Sequence, residues 1–184
     1  MNLSEQRIAL IAAGQRLAAR LELAQVSPEA ISREAGLEPN SLTALFVDME
    51  NYLIALQQEF MDNLRLQVVQ ATAEHPLGGA RLRLGAIAYL DGCLAQRSVR
   101  GWFIEARRQT RAVAQGLANQ NQAYLLVIST EFRALRWPHP LAASRLFLTA
   151  VLEIARLEHG GGQPQAPARA ALWDFLLSYE KKAA

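Results

Sequence analysis

The 184-residue chain is 51% hydrophobic and 20% charged, which is enough to bury a core in one domain or two small ones and excludes a disordered chain. Its single cysteine, Cys93, excludes an intramolecular disulfide and a cysteine-built zinc site, so nothing demands an oxidising compartment and a cytoplasmic location is expected. The net charge of +2 is unevenly spread. Residues 1–60 hold four basic side chains (Arg7, Arg16, Arg20, Arg33) against eight acidic ones, a net −4, whereas 61–184 hold 15 against nine, a net +6.

The opening segment carries an apolar run around Leu10-Ile11-Ala12-Ala13, but Arg7, Arg16 and Arg20 interrupt it before a leader's apolar region can form. No stretch approaches the ~20 apolar residues of a membrane span, so no membrane partner is expected. Apolar residues recur with helical rather than period-two spacing throughout, and the fold class expected is all-α, with about nine helices and no sheet.

In chain order, a first helix is expected from a Ser4 cap to about Leu23, with Leu10, Ile11, Gly14, Leu17, Ala18 and Leu21 on its inner face. Ser27-Pro28 supplies an N-cap and a first-turn proline for a two-turn helix that stops near Gly36. Pro39 opens a third short helix through Asn40, Ser41, Leu42 and Leu45 to Phe46. Asp48 caps a long fourth helix, 49–74, with Met49, Tyr52, Leu53, Leu56, Phe60, Leu64 and Val68 in one stripe that ends at His75-Pro76. Further helices are expected at about 80–96, 99–110, 112–136, 140–159 and 167–180, divided by Ser98, Pro138, Pro140 and the loop Gly160-Gly161-Gly162-Gln163-Pro164. That loop lacks the Lys-Ser/Thr pair and the preceding strand of a phosphate cradle. Leu146-Phe147-Leu148 to Leu157 and Leu172-Trp173 to Tyr179 are apolar nearly all round, so each must be covered on more than one side, by the chain's own core or by another subunit.

Chemistry-bearing constellations are sparse. His75, His139 and His159 flank helix ends and none pairs with a histidine or carboxylate at i+4, so no metal is expected. There is no nucleophile elbow, no HExxH and no dinucleotide fingerprint, and no enzyme activity or cofactor is expected. Cys93 falls on an apolar helix face and reads as a small buried hydrophobe. Arg107-Arg108 and Arg111, with Arg97 and Arg100 nearby, spread over more than one helix face and read as a solvated surface, or as a site for an acidic ligand or partner.

Two short helices joined by a tight glycine-containing turn, preceded by a longer one, form the arrangement that seats a third helix in a DNA major groove. Ala30-Ile31-Ser32-Arg33-Glu34-Ala35-Gly36-Leu37, followed by Ser41-Leu42 and Phe46, resembles the signature of the TetR-type (tetracycline-repressor-like) transcription regulators. The resemblance covers about Leu10 to Leu56 at residue level and is architectural beyond it. It implies a helix-turn-helix DNA-binding domain at 1–48 and a helical ligand-binding and dimerisation domain at 49–184, connected by helix 49–74.

What that likeness implies for function is a ligand-responsive repressor whose Pro39, Asn40, Ser41, Thr43 and Ala44 read double-stranded operator DNA, with Arg7, Arg16 and Arg33 able to cluster on the DNA side. A small apolar effector would lie among Tyr89, Cys93, Trp102, Phe103, Leu125, Phe132, Leu148 and Leu152, with Arg107 or Glu105 as polar contact. A homodimer would form through the last two helices. The chain departs from the family pattern at Glu22, Thr43, Leu45 and Met49, where a glycine, two aromatics and a lysine are usual. Each departure removes a phosphate contact or adds negative charge, and phosphate neutralisation carries most sequence-independent affinity. A second reading follows, in which the acidic head has weak or lost DNA binding and acts through a protein partner.

Overall fold

The computed structural model describes the backbone of residues 1–183 and side chains through residue 176. Among the described residues the chain is all-helical, with nine α-helices and no strand: α1 Leu3–Ala18, α2 Pro28–Glu34, α3 Ser41–Phe46, α4 Met49–Thr72, α5 Gly79–Ala95, α6 Arg97–Ala106, α7 Arg111–Ala134, α8 Pro140–Gly161 and α9 Ala166–Ala183. They divide into two compact units. One comprises 1–62 with 96–118, the other 63–95 with 119–184. Helices α4 and α7 contribute to both, so the first unit is larger than the three N-terminal helices and takes in α6.

Within the first unit, α1 starts two residues earlier than Ser4 suggests. Asn2 accepts from the Glu5 N–H while Glu5 accepts from the Asn2 N–H, a reciprocal capping box that satisfies two orphan donors. The helix ends at Ala18 rather than Leu23, and a short 3-10 turn, Leu23–Gln25, follows. The early end has a tertiary cause: the Leu21 carbonyl leaves the helical register and accepts from Trp102 Nε1 on α6 at 2.9 Å. Tyr52 of α4 is fully buried and donates its hydroxyl to the Leu10 carbonyl at 2.9 Å. A Cβ on Gly14 would collide with that hydroxyl, so the glycine allows α4 to approach α1. Burial pushes the Tyr52 phenol well above its ordinary range. Phe60 stacks on Phe103 with centroids 5.4 Å apart, and Gln57 donates to the Val113 carbonyl at 3.2 Å.

In the second unit, α5 lies against α8 and α9 around Leu82, Leu90, Phe147, Ile154, Leu172 and Trp173, all buried. Helix α8 runs to Gly161 and ends on Gly162 in the left-handed region, so the glycine-rich segment is a helix end. The all-round apolar character of α8 and α9 is only partly absorbed: Leu146 is 67% and Phe175 47% exposed. Tyr179 lies outside the residues whose side chains are described.

Glu158, 1% exposed, is the charge on which this unit's packing turns. Its two carboxylate oxygens accept from Arg169 Nε and Nη2 at 2.6 and 2.8 Å, and one also accepts from the Gln165 N–H at 2.9 Å. Arg169 also donates to Asp91 on α5 at 2.7 Å, so a single guanidinium fastens α9 to both α8 and α5. Burial pushes the Glu158 carboxyl up, but the Arg169 and Gln165 donors outweigh it and hold it below the usual range.

Removing one partner of such a pair leaves a buried charge uncompensated. Arg169→Met is therefore expected to cost about 3–5 kcal/mol in chemical denaturation. Because the folded carboxyl lies lower than the unfolded one, Glu158 contributes stability that is present above ~pH 4.3 and lost as pH falls through the folded value. Glu158→Gln should lose that acid dependence, and an unchanged pH profile would contradict the account.

Candidate nucleic-acid interface and ligand cavity

Ser27 caps α2, its hydroxyl accepting from the Ala30 N–H at 3.2 Å with Pro28 in the first turn. The helix ends on Gly36, whose φ of +71° favours glycine. Leu37 N–H returns to the Ser32 carbonyl at 2.9 Å and Gly36 N–H to that of Arg33 at 3.0 Å, the paired closure that ends a helix on a left-handed residue. Residues 38–40 form a separate turn, Ser41 N–H donating to the Glu38 carbonyl, so α3 starts at Ser41 and not at Pro39.

The first turn of α3 has no side-chain cap of its own. Its Leu42 N–H donates instead to the hydroxyl of Ser32, 3.1 Å away on α2, and that hydroxyl donates to the Pro28 carbonyl at 3.0 Å. Ser32 is fully buried. With Leu42 and Phe46 also buried, the opposite side of α3 faces solvent: Pro39, Asn40, Thr43 and Ala44 are exposed and Ser41 half-buried, and Arg33 is exposed on α2. Thr43 donates its hydroxyl to the Asn40 carbonyl, which leaves its lone pairs and methyl outward. All six candidate reading residues are at least partly accessible, Arg33 on α2, Pro39 and Asn40 in the turn before α3, and Ser41, Thr43 and Ala44 on α3 itself.

The arginines distribute differently from a DNA-side cluster. Arg16 Nε and Arg20 Nη2 both hold Glu34, at 2.8 and 2.6 Å, and lower its carboxyl below the usual range. Arg7 lies over the Phe46 ring, 4.5 Å from its centroid. Arg16 and Arg7 are therefore engaged in holding α1 to α2 and α3, and Arg33 remains exposed.

The second unit holds a cavity of about 140 Å³ that is partly open to solvent, Val69 and Val127 of its lining being 55% and 59% exposed. Val68, Val69 and Thr72 of α4, Leu82, Gly85, Ala86 and Tyr89 of α5, Tyr124, Val127 and Ile128 of α7, and Phe147, Leu148 and Val151 of α8 form its wall. Arg81 and Glu131 also line it. Glu131 accepts from Arg81 Nε at 3.2 Å and from the Gly78 N–H at 2.8 Å. Tyr89 and Tyr124 meet edge to face, centroids 5.5 Å apart. Among the described residues no group of three His, Cys, Asp or Glu side chains could hold a metal, and no helix is long and apolar enough to cross a membrane.

No protein-family model and no curated protein matches the sequence. Solved structures do match. A transcriptional regulator from Rhodococcus sp. Rha1 superposes with a TM-score of 0.77 at 15% identity, over 94% of this chain and 96% of that one. A TetR-family transcriptional regulator from Streptomyces coelicolor gives 0.70 at 20% identity, over 94% and 80%. A TetR-family regulator from Marinobacter aquaeolei VT8 gives 0.64 at 18%, over 93% and 95%. The chain has the fold of the TetR-family transcription regulators.

Within this TetR-type fold the ligand residues read from sequence do not converge, and neither Leu152 nor Glu105 lines the cavity. Tyr89 and Leu148 meet on the cavity wall. Phe132 is buried behind it between Trp137 and Phe147, Cys93 is buried in α5, and Leu125 is half-buried on α7 without lining it. Trp102, Phe103 and Arg107 belong to the other unit: Trp102 is bonded to Leu21, Phe103 is stacked on Phe60, and Arg107 is exposed at the end of α6. The sequence reading missed Thr72, Arg81, Tyr124 and Glu131. The available signal was spacing, since Tyr124, Val127, Ile128 and Glu131 repeat at i, i+3, i+4 and i+7 along one face of α7.

Ser32→Ala removes the acceptor for a buried N–H and should destabilise the protein by about 1–3 kcal/mol, as read by thermal unfolding. Ser32→Thr keeps the hydroxyl and should recover at least half of the loss. Equal stability of the alanine variant and the parent would remove Ser32 as the anchor of α3.

Proposed function

We propose that the protein is a ligand-responsive, one-component transcription regulator, a repressor, that binds operator DNA through α2 and α3. The observation that carries this is the solvent-facing side of α3, held from behind by Ser32, Leu42 and Phe46, with Asn40, Ser41 and Thr43 presenting groups able to bond base edges or phosphates. Residues 1–48 form the DNA-reading segment on this reading. Pro39 and Ala44 supply apolar contact, and Arg33 supplies the exposed cation. The cavity, lined by α4 among others, is the effector site on this reading, and a ligand that favours one arrangement of the heads over another would change operator affinity by that differential.

A homodimer through α8 and α9 completes the reading. Leu146 and Leu157 lie 11 residues, or three turns, apart on α8 and are 67% and 41% exposed, an apolar stripe that a second copy would cover. Paired heads would then address two half-sites about one DNA turn apart, ~34 Å, or a multiple of it. The net −4 of residues 1–60 and the engagement of Arg7, Arg16 and Arg20 favour few phosphate contacts and hence a shallow salt dependence.

Selection of fragments from genomic DNA at low salt is expected to enrich one near-palindromic sequence, and Arg33→Ala should reduce the slope of log affinity against log salt by about 1. If no sequence is enriched and a specific protein is recovered through the acidic head instead, the partner-binding reading replaces this one. Leu146→Glu should shift the sedimentation of the protein from dimer to monomer; a dimer that persists would exclude this face of α8.

A further inference from the structure

The acidity of the N-terminal stretch is offset within its own compact unit. Residues 1–62 hold four basic against nine acidic side chains, but 96–118, which belong to the same unit, add five arginines against the single Glu105. The unit as a whole is therefore near neutral, nine basic to ten acidic. Its free cations lie mostly in the added part. Arg7, Arg16 and Arg20 are engaged internally and Arg33 alone stands exposed on α2. Arg107, Arg108 and Arg111, in the turn from α6 to α7, are all exposed, and among the described residues no side-chain hydrogen bond or ion pair involves any of them.

Local helix stability does not account for this cluster. Arg107 and Arg108 follow the C-terminal end of α6, where a cation complements the helix dipole, but Arg111 opens α7, where the dipole opposes it. No acidic residue lies between Glu105 and Glu131 in the chain, so three like charges within five residues have no acidic neighbour in their own segment. The turn is nonetheless tightly held: the Gln109 and Thr110 N–H groups both donate to the Ala106 carbonyl, at 2.9 and 2.8 Å.

Two contacts place the turn along α4. Phe103 stacks on Phe60, and the Val113 carbonyl accepts from Gln57, so the segment between them runs beside that part of α4. Gln57 stands eight residues, or about 12 Å, from Met49, where α4 begins just after α3. That separation matches the ~12 Å width of the major groove between its two phosphate backbones.

We propose that the α6–α7 turn is a second nucleic-acid contact of the first unit, in which Arg107, Arg108 and Arg111 bind phosphates of the duplex that α3 reads. The inference rests on the DNA-binding reading of α3 and adds the source of its sequence-independent affinity. Guanidiniums pair bidentately with phosphate oxygens, and here they supply what residues 1–60 lack. A duplex fits better than an acidic protein surface because the turn and α3 share one compact unit, so a single partner engages both.

Fluorescence anisotropy of the full chain with its selected operator and with a random duplex, between ~50 and 200 mM salt, tests the proposal. In Arg107→Gln/Arg108→Gln/Arg111→Gln the slope of log affinity against log salt should fall by about 2–3 on both duplexes, each phosphate contact contributing ~0.9. The ratio of operator to random affinity should stay within about twofold of the parent's. Arg133→Gln/Arg136→Gln removes two exposed cations of the second unit and should change the slope by less than about 0.5; thermal melting checks that both variants are folded. An unchanged slope in the triple variant, with the operator still selected, overturns this inference alone and leaves the turn to an acidic protein. An equal loss per charge in the second-unit variant overturns it as well, because net charge then explains the effect. A parent that enriches no sequence but binds random duplex with a slope lost in the triple variant upholds the turn and sinks base reading by α3. A parent that binds neither duplex overturns both.

Discussion

A six-residue helix has no stability of its own, because the backbone ordering of its first turn is not repaid within so short a segment. Helix α3 is such a helix, and the hydroxyl of Ser32 is what ties its unsatisfied end to a neighbour. One oxygen accepts from α3 and donates to the start of α2, so the two helices are fixed to each other at a point shielded from water, where a lost hydrogen bond is not replaced by solvent. The far end of α3 is held by Phe46, which meets Tyr52 edge to face at 5.3 Å, and Tyr52 is in turn bonded to α1. The exposed side of α3 is held in place only because its back is anchored at both ends.

The same anchoring explains where the basic residues of the head have gone. Three of its four arginines serve internal contacts, two on Glu34 and one on the Phe46 ring. Exposed ion pairs contribute little individually, about 0–1 kcal/mol, but here one carboxylate holds two guanidiniums and Arg16 also donates to the Glu34 carbonyl, so α1 and the end of α2 are joined by several bonds at once. On the proposed DNA-binding reading, affinity would then come from Arg33, from hydroxyl and amide groups and from backbone N–H donors at helix starts, which act without side-chain charge. An acidic head and a DNA-reading role are compatible on those terms, at the expense of non-specific binding.

Local signals in the sequence located the elements that local chemistry dictates. Ser27-Pro28, Gly36, Asp48 and Pro140 each mark a boundary found in the structure, since caps and left-handed glycines act within a few residues. The boundaries misplaced are those set from a distance. Helix α1 stops short because Trp102, 81 positions along the chain, takes the Leu21 carbonyl. The cavity was less legible for the same reason: its polar end joins Arg81 to Glu131 across 50 residues, and its apolar wall is made of residues indistinguishable in type from core. Choosing Trp102, Phe103 and Phe132 by aromatic character selected side chains that fill space elsewhere.

The junction between α3 and α4 carries the remaining constraint. Val47 has φ +71° and ψ −52°, and the Asp48 N–H returns to the Phe46 carbonyl at 2.8 Å, a three-residue turn that a β-branched side chain adopts at a cost of about 1–3 kcal/mol. The side chain itself is 77% exposed, so packing of Val47 does not offset the strain; Phe46 buried on one side and Asp48 capping α4 on the other impose it. A turn this short leaves no slack between α3 and α4. The strained valine therefore marks a short connection kept at the expense of local backbone comfort.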